Sequence, residues 1–199
     1  MNSEKHSKFP KVLCGTKIST RSLQGMYLGP YSEVLMVPAD KGEVEDLGKR
    51  NGGNQGMCDV WIAQEKGDAF TIARVVVELH PQKSVEDMFQ RYEIWYPDDR
   101  QQSLTLGAAR GFTMYYASLL VSDCQRSKKR PSMERPLGVS VRVILPRYPS
   151  GPDVDRAKLA KGAGALAADT ARYVSSDVLR CSAPDLPEGA PVQKAPQKM

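Results

Sequence analysis

Five cations crowd one short stretch of this chain. Arg126, Lys128, Lys129, Arg130 and Arg135 stand within residues 125–136, where Glu134 is the sole acid. Four of them fall within residues 126–130 and Pro131 follows, the pattern of a minimal nuclear-localisation or anion-binding patch. Such a run attracts phosphates or anionic headgroups without reading sequence, and the attraction weakens with salt. Lys129-Arg130-Pro131-Ser132 also has the form of a basophilic kinase site, where a phosphate on Ser132 would cut the local positive charge. The plainer alternative, a solubilising turn, stays open. Tyr115 and Tyr116 precede the run, but no ribonucleoprotein signature surrounds them.

Residue types for catalysis are present in thinner supply. A nucleophile needs a base in reach and a third group to orient that base. Cys58 or Cys124 with His80 and Asp98 supplies the types, yet neither cysteine lies in a recognisable nucleophile turn. Glu78, Asp98 and Asp99 offer carboxylates, but adjacent acids after a helix are ordinarily solvated. Gly42 and Gly48-Lys49 imitate a phosphate loop, with five residues between the glycines instead of four and Arg50 where Ser or Thr is required. Cys14, Cys58, Cys124 and Cys181 are scattered, and His6 and His80 are the only histidines, so no metal site is expected. The expectation is a non-enzymatic protein with no cofactor and no small-molecule substrate; a small cysteine or carboxylate enzyme is the last alternative.

The elements that must carry these residues read as follows. Residues 69–96 join an apolar, β-branched strand signal, ending at His80-Pro81, to a helix opened by Ser84. Glu86 and Asp87 fill its first turn, Asp87 completes an approximate capping box, and Val85, Met88, Phe89, Tyr92 and Trp95 form its apolar stripe. Residues 58–64 and 138–145 alternate as strands, residues 112–122 read as a strand, and residues 11–20 and 33–37 as short ones. A turn is expected over residues 25–31, and a glycine-rich mobile loop over 41–56.

A second helix is expected over residues 153–177, with Leu159, Gly162, Ala163 and Leu166 along one side. Its glycines cost helix stability but let another backbone approach closely. That side reads either as a self-association surface or as a helix docked on the sheet.

The fold class expected is α+β: a single domain over residues 11–180, with a mostly antiparallel sheet packed by two helices. Residues 1–10 read as a flexible N-terminus and residues 181–199 as a disordered, Pro-rich tail. The 199 residues carry 28 basic against 23 acidic side chains, a net charge of +5, which leans towards anionic partners. No charged-then-apolar leader opens the chain, Asn2 excludes N-myristoylation, and residues 111–122 are too few to span a bilayer. The chain is therefore expected to be cytoplasmic or nuclear, not secreted, with reduced thiols, and able to lie peripherally on a membrane.

The order of strand, short turn, Ser84-opened helix and further strands, in FTIARVVVELHPQKSVEDMFQRYEIWY, resembles the core of small basic matrix proteins of negative-strand RNA viruses of the rhabdovirus type. The resemblance covers about residues 70–121. It implies self-assembly, attraction to anionic membrane and contact with a nucleocapsid. Such proteins often carry a P-P-x-Y motif, and here Gly29-Pro30-Tyr31 lacks the first proline, so that role is not carried over. The leading expectation is thus a matrix-like, self-associating protein. Its rival is a nucleic-acid-binding accessory or regulatory protein with nuclear access.

Overall fold

Alternating valines build the centre of the sheet. In the computed structural model, β2 (Ala69–Pro81) pairs antiparallel with β6 (Leu137–Ile144), setting Val75 opposite Val143, Val77 opposite Val141 and Leu79 opposite Val139. Side chains two apart share a face, so this register lines one face with β-branched residues. The structure describes residues 12–27, 44–47, 53–63, 69–81, 83–95, 101–126, 137–146, 155–183 and 186–194. The class is mixed α and β with an antiparallel sheet, as the sequence implies.

The other strands are β1 (Gln55–Ala63), β3 (Gln102–Leu106), β4 (Ala109–Thr113), β5 (Ala117–Arg126), β7 (Cys181–Ala183) and β8 (Val192–Lys194). The sheet order is β1-β2-β6-β5-β4-β3-β8, with β7 pairing β5 off that path. The single strand expected over residues 112–122 is corrected to the end of one strand and the start of the next. Met114 N donates to Ala117 O at 2.7 Å and closes the turn between them. Gly107, at φ 57°, turns β3 into β4.

The helices are α1 (Arg21–Tyr27), α2 (Val85–Trp95) and α3 (Arg156–Tyr173), the last running into a π-helical turn over Val174–Val178. The capping box of α2 forms: Asp87 N donates to Ser84 Oγ at 3.2 Å, and Ser84 N donates to Asp87 Oδ2 at 3.0 Å. Val85 and Met88 join Phe112, Leu119 and Val121 in a small cluster on one face of the sheet. On the other face Leu159, Ala163, Leu166 and Ala167 of α3 enter the large core with Val139, Val141, Val143 and Leu104. Thr113 Oγ1 donates to Ala160 O at 2.9 Å and ties α3 to β4.

Several further expectations are corrected. Of the turn expected over residues 25–31, the first part is helix, because α1 extends to Tyr27, and residues 28–31 lie outside the described residues. Over 11–20 the described residues make only an isolated bridge, Val12 with Ser19. In the glycine-rich segment Val44 and Leu47 are 2% exposed and belong to the large core. The tail is not disordered where it is described: β8 pairs β3, and Arg172 Nε donates to Pro187 O at 2.8 Å while its Nη2 donates to Gly189 O. The strand expected over 33–37 and the flexible end at 1–10 lie outside the described residues. Among the described residues, no helix is long and apolar enough to cross a membrane.

The reduced thiols are also corrected. Cys14 bonds to Cys58, with Cα atoms 6.0 Å apart, and Cys124 bonds to Cys181 at 5.2 Å. The sequence separations, 44 and 57 residues, hid both pairings. Cys58 lies on β1 and Cys124 on β5, and each is joined to a cysteine far away in the chain. On the chain-entropy account, loops of these lengths make each bond worth roughly 4 kcal/mol.

Candidate functional site

The polar positions of the alternating strands gather on the sheet face opposite α3. Asp59 of β1 lies opposite Arg74 of β2, and its two oxygens accept from Arg74 Nε at 2.6 Å and Nη2 at 2.7 Å. That bidentate bond, first among its causes, raises the Arg74 pKa further and fixes the charge. Four residues along β2, Glu78 Oε1 accepts from Arg142 Nη2 of β6 at 2.9 Å. Next, His80 Nε2 meets Ser140 Oγ at 2.8 Å, with Glu78 Oε2 at 3.9 Å.

This row opens into a cleft of about 450 Å³, lined by Asn54, Gln55, Glu78, Leu79, His80, Arg91 and Arg142. Gln55, which opens β1, and Asn54 just before it supply the two amides, β2 and β6 supply the floor, and α2 supplies Arg91. Burial, first, holds the His80 imidazole below its ordinary pKa; Arg91 and Arg142 lower it further, against the pull of Glu78. A neutral imidazole beside two guanidinium groups and two amides makes a surface rich in hydrogen-bond donors. Such a surface receives oxyanions.

The same geometry weighs against proton-relay chemistry at Ser140. Its residue is fully buried, and both Ser140 and Glu78 face the same ring nitrogen of His80. A nucleophilic triad needs the serine on one nitrogen and the acid on the other. Cys58 and Cys124, the proposed nucleophiles, are both in disulfides and offer no thiolate, so the cysteine-enzyme reading loses its reacting group. Asp98 and Asp99 lie outside the described residues. Among those residues, no group of three or more His, Cys, Asp or Glu side chains stands together as a metal site.

A second opening, of about 510 Å³, lies between the N-terminal segment and the end of α3. Four of its charged groups are paired. Lys17 Nζ donates to Asp177 Oδ1 at 2.5 Å, and Arg172 Nη1 donates to Asp169 Oδ1 at 2.9 Å. Burial pushes the Asp169 carboxyl upward, against the pull of Arg172. Tyr173, pushed up to about 12 by burial and by Glu45, donates to Glu45 Oε1 at 3.4 Å.

The residues expected for anion binding are reached only in part. Arg126 ends β5, while its side chain and Lys128, Lys129, Arg130 and Arg135 lie outside the described residues. Leu137, where β6 begins, pairs with Cys124 on one side and Pro81 on the other. The two strand ends that bound the cationic run therefore lie at the end of the sheet where His80 stands.

The self-association residues are corrected. Leu159 is 2% exposed, and Ala163 and Leu166 are fully buried within the chain's own core. A Cβ on Gly162 would collide with the Met26 side chain of α1, and one on Gly164 would come within 2.9 Å of Gln193 Nε2 and 3.2 Å of Leu104 Cδ1. The small residues serve packing against α1, β3 and β8, so this side of α3 is occupied.

Sequence reading passed over Asn54, Gln55, Arg91 and Arg142. The signal for Arg142 was its polar position in an alternating strand, in register with the Arg74, Glu78 and His80 positions of β2. Arg91 carried no such signal, because its position depends on how α2 crosses the sheet. Compared with known proteins, the chain matches no family model, no curated protein and no solved structure.

Proposed function

We propose that this is a non-enzymatic interaction protein that engages an anionic membrane surface. The observation that carries the reading is the cleft beside α2, where Arg91 and Arg142 meet His80, Asn54 and Gln55 with Glu78 as the one carboxylate in the lining. The cationic run of residues 126–135 leaves from the same end of the sheet and would add attraction that weakens with salt. The matrix-like expectation keeps its membrane-binding half; its self-associating half loses the α3 surface that supported it.

The two disulfides support an oxidising compartment for the folded chain, in place of the cytoplasmic or nuclear one expected from sequence. They favour the membrane reading over the nucleic-acid rival, which needs access to the nucleus. Flotation with phosphatidylserine vesicles, set against an RNA gel shift, separates the two. Wild type is expected to float, and Arg91→Ala and a Lys128/Lys129/Arg130→Ala variant to float less. Binding to RNA alone would favour the rival, and indifference of both ligands to both variants would end the anion reading.

A further inference from the structure

The two disulfides differ in their surroundings. Cys14 and Cys58 are 8% and 0% exposed and sit within the large core. Cys124 is 2% exposed, but Cys181 is only partly buried and opens β7, a three-residue strand off the main path of the sheet. Its register is short: Gln125 lies opposite Ala183 and Arg126 opposite Cys181, with an irregularity between them. Ser182 Oγ adds one bond, donating to Gln125 O at 2.9 Å. Arg180, just before Cys181, has φ 54°, a left-handed backbone that a side chain adopts only at a cost; Cys14 of the other bond has φ 47°, so exposure and not backbone strain sets the two bonds apart. The bond thus fastens a strained connection to the strand end where the cationic run begins.

We propose that the Cys124–Cys181 disulfide is a thiol-exchange site for small anionic thiols of the glutathione class. An external thiolate attacks Sγ of Cys181, the less buried of the two cysteines, and forms a mixed disulfide. Cys124 leaves as a thiolate and takes up a proton. A second external thiolate attacks the external sulfur of the mixed disulfide, and Cys181 leaves and is protonated in turn. Two external thiols become one external disulfide, and the two electrons they give up reduce the protein bond. The exposed Arg180 immediately precedes Cys181 and supplies a cation next in the chain to the sulfur where thiolates arrive and depart.

Opening the bond leaves β7 held by its few hydrogen bonds and lets Arg180 leave the left-handed region. The end of β5 then frays, and with it the base of the cationic run. The consequence for membrane binding rests on the anion-binding reading. The exchange itself does not.

The test treats the full oxidised chain with reduced glutathione, alkylates samples over time and maps the peptides by mass spectrometry. Cys124 and Cys181 are expected to be alkylated about tenfold faster than Cys14 and Cys58, with a glutathione adduct on Cys181. Equal rates, earlier opening of Cys14–Cys58, or an adduct confined to Cys124 would overturn the proposal. Hydrogen exchange after selective opening should rise over residues 122–126 and Cys181–Ala183 and stay low in β2 and β6. A rise throughout the sheet would mean global unfolding and would also overturn it. Vesicle flotation should weaken several-fold on opening. If the oxidised chain does not float, the membrane reading fails, while the order of alkylation still decides the exchange.

Discussion

Arg142 reaches diagonally across the β2–β6 ladder to Glu78, Nη2 to Oε1 at 2.9 Å, although its register partner is Val76. Each side chain keeps about a quarter of its surface exposed, 25% for Arg142 and 24% for Glu78. The carboxylate holds one arginine of the cleft in place and offsets its charge, so Arg91 sets the balance. Glu78→Gln keeps the shape and removes the charge. Vesicle binding is expected to tighten by roughly fivefold, an effect of about 1 kcal/mol, as measured by a binding isotherm at low salt. Thermal unfolding should show a loss of about 0.5–1 kcal/mol from the weakened pair.

His80 makes stability depend on pH in a defined direction. Its folded pKa lies below the ordinary 6.5, chiefly through burial. Between the two pKa values the unfolded chain binds more protons, so stability rises with pH there. Its penalty is absent above 6.5, grows as pH falls through that value, and is complete below the folded pKa. Urea unfolding at pH 5 and pH 7.5 should show the wild type losing more on acidification than His80→Gln does. Equal losses would separate His80 from the effect.

Gly162 distinguishes packing within the chain from association between chains. Its missing side chain leaves room for Met26 of α1. Gly162→Leu is therefore expected to destabilise by about 1–3 kcal/mol in chemical denaturation. Sedimentation should show no change in the mass of the folded fraction. A fall in mass with unchanged stability would restore α3 as an interface.

The core disulfide should matter for stability more than for binding. A Cys14→Ser/Cys58→Ser double variant is expected to lose about 2–4 kcal/mol, read as a lower midpoint in denaturant. Its flotation should match wild type under conditions where both remain folded.

The parts of the fold that the sequence made legible are those with local causes. The strand-to-helix unit around His80 showed itself through the β-branched run of β2 and the reciprocal Ser84–Asp87 cap, both set within a few residues. The role of Gly111 has a distant cause: a Cβ there would strike the Leu119 carbonyl of the neighbouring strand, so glycine permits close pairing. The tail misled for a related reason. Its prolines imply disorder, but β3 needs an edge partner, and Arg172 holds the approach to β8 from α3. The cleft needed the β2–β6 register together with the crossing of α2, and no periodicity within one segment encodes either.

The central claim is that a donor-rich sheet end engages anionic headgroups, and the salt dependence of vesicle binding tests it most directly. For the oxidised chain, binding should fall steeply as salt rises, and the slope of log K against log salt should flatten in a combined Arg91/Lys128/Lys129/Arg130→Ala variant. A slope near zero in the wild type, or one that the four substitutions leave unchanged, would contradict the account.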